Sequence, residues 1–257
     1  MTPVALVSGA AQGIGADVAR RLAHEGYAIA ALDVRPADET VAAIGDAAVA
    51  YPCDVRDWDA VDGAVERVER EQGSIEAVAS VAGVWEHVPF LDLEPPTWHR
   101  VLDVNLEGTF HVCRHAARRM AGRGRGAIVC IASNAAYLAW EGGAHYSASK
   151  AAIIGLVKGM ALELGPHGIR ANAVCPGTVR TPATLPELAD PVSEAVQVRA
   201  CPLGRIGEPS DIAEAVAFLL DGARAAWISG EALLVDGGFG THGEGANFGV
   251  ASNSVVG

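Results

Sequence analysis

The stretch Val4-Ala5-Leu6-Val7-Ser8-Gly9-Ala10-Ala11-Gln12-Gly13-Ile14-Gly15 decides the fold. Four apolar residues in a row make a run of strand length. Glycines follow at 9, 13 and 15, and Ile14, Val18 and Leu22 then recur at helical spacing to about residue 25. A short apolar strand passing through a glycine-rich turn into an amphipathic helix is the first half of a strand–helix–strand unit. The strand shows no polar alternation, which marks a strand covered on both faces, as in a parallel sheet between helix layers.

The same alternation runs down the chain. Apolar strand candidates lie at residues 27–32, closed by Asp33, and at 48–53, 75–81, 127–131, 169–174 and 232–235. Helical patterns lie between them at 58–72, 97–107, 109–120 and 147–164. This order predicts an α/β fold: one doubly wound Rossmann-type domain with a seven-stranded parallel sheet and helices on both faces. The domain is expected over residues 1–240. A proline-rich segment at 178–207 and a Gly-, Ser- and Asn-rich tail at 241–257 fall outside the alternation.

Composition narrows the function. Half of the 257 residues are hydrophobic, and 19 basic against 31 acidic residues give a net charge of −12. Phosphate backbones and anionic membranes need a positive surface, so neither nucleic acid nor a membrane is the expected partner. The N-terminus lacks the pattern of a secretory leader, and no run of about eighteen apolar residues occurs. Cys53, Cys113, Cys130, Cys175 and Cys201 are odd in number and contain no C-x-x-C pair. No disulfide framework or metal site is therefore expected, and the thiols suit a reducing cytoplasm.

The glycine-rich turn lets backbone approach a diphosphate, and the helix after it offers unpaired N–H groups and a positive dipole end. Asp33 closes the second strand eighteen residues beyond Gly15. A carboxylate there can accept hydrogen bonds from ribose hydroxyls and would repel a 2′-phosphate. No Arg or Lys lies in the turn, and Arg35 is one residue removed, so NAD is favoured over NADP. Further on, Tyr146 and Lys150 are four apart in Tyr-Ser-Ala-Ser-Lys, on one face if they open a helix. A nearby ammonium lowers a phenol's pKa, and a phenol so tuned can exchange a proton with an alcohol or alkoxide. Ser133 ends the fifth strand candidate, where ligands of parallel sheets bind.

The turn spacing G-x-x-x-G-x-G, with Tyr146 and Lys150, resembles the classical short-chain dehydrogenase/reductase family. Cys53-Asp54-Val55 is similar to that family's adenine-contacting segment. Ser80-Val81-Ala82-Gly83 resembles its Asn-x-Ala-Gly, with Ser80 in place of the asparagine. Pro176-Gly177-Thr178-Val179-Arg180-Thr181 resembles the stretch that holds the nicotinamide carboxamide, and Asn105 falls where the family has its active-site asparagine. The resemblance implies catalysis by Asn105, Ser133, Tyr146 and Lys150, with Asn105 binding a backbone carbonyl and a relay water. It implies NAD contacts from Gly9, Gln12, Gly13, Ile14, Gly15, Asp33, Asp54, Val55, Ala82, Gly83, Tyr146, Lys150, Pro176, Gly177, Val179 and Thr181. It also makes 178–207 a substrate lid, and the apolar helix at 147–164 part of a homotetramer interface.

Substrate residues are less sharply marked. Ser133, Trp85, Trp140, His145 and Leu185 are the candidates, and the tryptophans suit an apolar or aromatic substrate. No Arg or Lys lies at 84–95 or 134–145, which favours a neutral secondary alcohol or its ketone. Ser133-Asn134-Ala135-Ala136 also resembles enzymes that oxidise cyclic dihydrodiols. A 3-oxoacyl-carrier reductase and a non-catalytic dinucleotide sensor are the alternatives. For the tail, flexibility stands beside a second expectation, that Phe248 and its neighbours pack across a subunit interface.

Overall fold

The computed structural model describes residues 2–241, so the expectations for the remainder of the tail, including Phe248, lie outside the described residues. Seven strands form one parallel sheet in the order β3-β2-β1-β4-β5-β6-β7. They are β1 (Val4–Ser8), β2 (Ala28–Asp33), β3 (Ala48–Pro52), β4 (Ile75–Ser80), β5 (Gly126–Ile131), β6 (Ile169–Pro176) and β7 (Ala232–Val235). The order reverses between β1 and β4, and such a switch point opens a crevice at the carboxyl ends of the strands. Registers Ser8↔Leu32, Ser8↔Ser80 and Ser80↔Cys130 bring those ends level.

Side chains alternate into two cores, one on each face. Val4 and Leu6 of β1 join Val61 and Val65 of α3 (Trp58–Glu71), Val112 and Met120 of α5 (Gly108–Ala121) and Ile153 of α6 (Ala144–Leu164). Ala5 and Val7 join Val18 and Leu22 of α1 (Gly13–His24) and Ile212 and Val216 of α9 (Pro209–Leu220). The apolar character of the five inner strands follows from this double coverage, while the edge strands β3 and β7 remain partly exposed.

Several elements differ from the expectation. A short α2 (Asp38–Ile44) links β2 to β3, and α9 follows the lid segment; both were missed. The 97–107 helix is instead α4 (Pro95–Leu102), which begins on a proline suited to the first turn and runs into a π turn, Asp103–Glu107. Segment 178–207 is not irregular throughout. It holds α7 (Leu185–Leu188) and α8 (Pro191–Ala200), and the Asp190 carboxylate caps α8 by accepting from Val192 N–H and Ser193 N–H. Among the described residues, no helix is long and apolar enough to cross a membrane, and no group of three or more His, Cys, Asp or Glu could hold a metal.

Candidate active site

The glycine turn is built by close backbone approach. Gly9 has φ +70°, and a Cβ there would lie 2.8 Å from the Ala82 backbone. A Cβ on Gly15 would collide with the Gly9 carbonyl, its carbon at 2.7 Å. Gly13 has φ +56° and faces the Thr181 side chain, so the turn meets the first residues of the lid. Ser8 Oγ accepts hydrogen bonds from Val81 N–H at 3.1 Å and Ala82 N–H at 3.3 Å, joining β1 to the segment after β4. Sequence reasoning passed over Ser8; a hydroxyl between an apolar strand and a turn glycine was its signal.

This cradle suits a dinucleotide. No side chain caps the N-terminus of α1 and no acidic residue lies in its first turn, so its leading N–H groups and positive dipole end face the turn. Asp33 is buried at the end of β2, its carboxylate accepting from Ala11 N–H and Arg35 N–H, each at 2.9 Å. Each carboxylate oxygen keeps acceptor capacity for a ribose hydroxyl. A cavity of about 300 Å³ opens beside it, lined by Asp33, Arg35, Asp38, Tyr51 and Pro52 among others. Asp54 and Val55 follow β3. The Asp54 carboxylate is gripped by Arg56, which holds its pKa down, and the Val55 carbonyl lies 2.9 Å from His111 Nδ1 of α5. Pro176 ends β6, with Gly177, Val179 and Thr181 just beyond it.

The Tyr146–Lys150 pair sits in the first two turns of α6. Lys150 is buried, its Nζ donating to the Ile131 carbonyl at 2.8 Å and standing 5.6 Å from the Tyr146 ring centre. Burial pushes the Lys150 ammonium down to about 8. Burial also pushes the Tyr146 phenol up, and a hydrogen bond with the Ser133 side chain partly opposes this. The geometry gives no direct Lys150 contact that would lower the Tyr146 pKa: one Nζ hydrogen goes to the Ile131 carbonyl, and burial is the larger influence on the phenol. Ser133 lies two residues past β5, its Oγ also accepting from Ala135 N–H at 3.1 Å.

Asn105 sits in the π turn and is fully buried. Such turns are rare and cluster at functional sites. Its Oδ1 accepts from Val84 N–H at 2.8 Å, and its Nδ2 donates to the Val84 carbonyl and to Ser149 Oγ, both at 3.0 Å. A Cβ on Gly83 would lie 3.3 Å from Asn105 Oδ1 and 3.4 Å from Lys150 Nζ, so both groups border the space above that glycine. Asn105, Ser133, Tyr146 and Lys150 thus converge at the ends of β4 and β5.

The substrate candidates divide. The Trp140 ring stacks near Tyr146 with centres 6.2 Å apart, and Trp85 is partly exposed on the loop after Gly83. The His87 ring packs on Gly142, and Val88 N–H donates to the Gly142 carbonyl at 2.9 Å, tying the two tryptophan-bearing loops together. Leu185 is half-exposed at the start of α7. His145 does not fit: it is wholly buried, and burial and Arg100 both hold its pKa down. It is a packed neutral histidine, not a pocket wall. Arg100 in turn pairs with Glu86. A separate cavity of about 200 Å³ between the lid base and β7 contains none of the tetrad.

A family model described as enoyl-(acyl carrier protein) reductase matches residues 9–240. The 2,3-dihydro-2,3-dihydroxybenzoate dehydrogenase of Bacillus subtilis (strain 168) is 38% identical over 248 residues, covering 91% of this chain and 95% of the relative. A crystal structure of a gluconate 5-dehydrogenase from Burkholderia cenocepacia J2315, in complex with NADP and tartrate, superposes with a TM-score of 0.88 at 32% identity, covering 94% and 96% of the two chains. One of a short-chain type dehydrogenase/reductase from Mycobacterium marinum gives 0.85 at 33% identity, covering 92% and 95%. A family model matched over residues 9–240, relatives 38% identical over nine-tenths of the chain and a shared parallel-sheet fold show that the chain belongs to the classical short-chain dehydrogenase/reductase family.

Proposed function

We propose that the protein, an oxidoreductase acting on CH–OH groups, uses NAD and takes a neutral secondary alcohol, cyclic or apolar, or the corresponding ketone. The single observation that carries this reading is the convergence of Ser133, Tyr146 and Lys150 at the strand ends beside a glycine cradle that would hold a dinucleotide. When bound, the nicotinamide supplies the hydride chemistry. The chain supplies position and a proton. Ser133 Oγ and the Tyr146 hydroxyl hold the reacting oxygen between them. With its pKa raised by burial, Tyr146 is protonated at neutral pH and donates to the developing alkoxide of a ketone. In oxidation the phenol must first give up its own proton to solvent, and the phenolate then accepts the proton of the alcohol as hydride leaves its carbon.

The buried Asp33 beside the 300 Å³ cavity supports NAD, since a 2′-phosphate there would face its carboxylate, whose ion pair is a long one, 3.6 Å to the half-exposed Arg35 guanidinium. Neutral substrates are supported by the arginines. Arg100 pairs with Glu86, Arg180 with Glu194 and Glu208, and Arg205 with Asp211. Benzoates and gluconate, named in the relatives, are carboxylates; here only Arg199, exposed in α8, is a lid cation with no ion pair among the described residues. A dihydrodiol lacking a carboxylate fits the same site. The domain is read as 1–240 with its lid at 178–207. Exposed Phe110 on α5 and Leu162 on α6 support a homotetramer, and the free thiols suit a cytoplasmic setting.

The test is NADH absorbance with NAD or NADP and a panel of neutral cyclic alcohols, linear secondary alcohols and their carboxylated analogues. The reading expects NAD-dependent turnover of the neutral members. Turnover confined to NADP, or to carboxylates, would overturn the corresponding part.

A further inference from the structure

Asn105 has no polar capacity left over on its amide nitrogen. One Nδ2 hydrogen goes to the Val84 carbonyl and the other to Ser149 Oγ, while Oδ1 takes the Val84 N–H. Its own carbonyl accepts from Thr109 Oγ1 at 2.7 Å. Two hydroxyls therefore hold this residue from opposite ends, one at the side chain and one at the backbone.

Each hydroxyl is itself oriented. Ser149 is fully buried and donates its only proton to the Tyr146 carbonyl at 2.7 Å, leaving a lone pair for Asn105 Nδ2. Thr109 is buried and donates to the Asn105 carbonyl, and the Ser80 hydroxyl lies 3.4 Å from its oxygen. The result is one buried chain: Ser80, Thr109, Asn105, Ser149 and the backbone of Tyr146. It begins at the end of β4, crosses the π turn and stops on the turn that carries the phenol.

We infer that Ser149 and Thr109 are positioning residues for proton transfer, fixing the Tyr146 turn against the 83–84 segment through Asn105. Neither contacts the reacting atoms. A half-satisfied buried network is worse than none: deleting the Ser149 hydroxyl takes the acceptor from one Asn105 Nδ2 hydrogen, and deleting the Thr109 hydroxyl takes a donor from the Asn105 carbonyl. The Tyr146 turn then loses its anchor to β4, and misplacement of a proton donor by even about 1 Å can cost on the order of a hundredfold in rate. This inference rests on the proposed reading of Tyr146 as the proton carrier.

The test compares Ser149→Ala and Thr109→Val with Thr109→Ser, which restores the hydroxyl. Turnover is measured with NAD and the neutral alcohol that wild-type protein oxidises fastest. Binding of NADH is followed by its fluorescence. The Tyr146 phenol is titrated by ultraviolet difference, each protein against its own Tyr146→Phe counterpart. The two hydroxyl-free variants are expected to lose kcat by about tenfold to a hundredfold, with KM and NADH affinity unchanged. Their Tyr146 midpoint moves down toward the ordinary tyrosine value, because a loosened turn admits water. Thr109→Ser restores both. Folded variants with wild-type kcat and an unmoved midpoint would overturn the inference. If wild-type protein oxidised no alcohol, the proposed function would fail, while the titration would still decide whether Ser149 and Thr109 hold the phenol.

Discussion

Lys150 is a buried cation, and its burial makes a pH-dependent stability prediction. The unfolded chain holds the proton up to the ordinary 10.5, the folded chain only to about 8. Between those values the unfolded state binds more protons, so stability rises with pH across that window. Below about 8 both states are protonated and the folded state carries the full desolvation cost. At about 1.4 kcal/mol per unit, the gap amounts to about 3 kcal/mol. Lys150→Met removes this cost but also the donor to the Ile131 carbonyl, whose unpaired burial costs about 1–3 kcal/mol at every pH. The two effects nearly cancel at neutral pH, so a single measurement there decides nothing. Their pH dependence differs, and that separates them. Urea unfolding of both proteins should show wild type gaining about 2 kcal/mol or more on the variant between about pH 7 and pH 10. Tyrosines and cysteines remote from Lys150 cancel in the comparison, and Cys175, which interacts with it, is replaced by serine in both proteins. Parallel curves would refute the assignment of Lys150 as a desolvated ammonium.

Three further outcomes follow from named contacts. Gly15→Ala drives a methyl into the Gly9 carbonyl and should abolish NADH binding, read by fluorescence titration, or unfold the first strand–helix unit. Asp33→Ser removes the carboxylate beside the cofactor cavity and should weaken NAD at least about tenfold while improving NADP, since a site built to bond a hydroxyl loses it; kinetics with both cofactors check this. Arg170→Met removes a guanidinium that donates to the carbonyls of Leu219, Leu220, Asp221 and Ile228. Those carbonyls include the end of α9, so unfolding free energy should fall by about 2–3 kcal/mol with cofactor affinity unchanged.

Much of the fold was legible because double burial forces the five inner strands to be apolar, and the partly exposed edge strands β3 and β7 are apolar runs as well. The glycine turn was legible for a steric reason: only glycine fits where Gly9 meets Ala82 and Gly15 meets Gly9. Helices α2, α7 and α8 were not. They are short, and α8 buries none of its residues, so no apolar stripe announces it. The π turn was invisible because Asp103–Glu107 continues a helical pattern and differs only in hydrogen-bond registry. Site residues were legible as types but not as environments. Tyr146 and Lys150 suggested an ammonium lowering a phenol's pKa, yet both groups are governed by burial, which spacing does not reveal. His145, beside Tyr146, looked like a pocket residue and turned inward. Ser149 and Thr109 carry no chemical signature of their own. Their importance arises only when folding brings residues 105 and 149 within hydrogen-bond reach.

The central claim is that Tyr146 moves the proton while the cradle independently holds the cofactor. Tyr146→Phe deletes one oxygen and leaves the glycine turn, Asp33 and Lys150 in place. Turnover of the best neutral alcohol and NADH affinity, measured on the same preparation, test that separation directly. The account predicts a kcat at least about a hundredfold lower with NADH affinity unchanged. Wild-type turnover in the variant would contradict it.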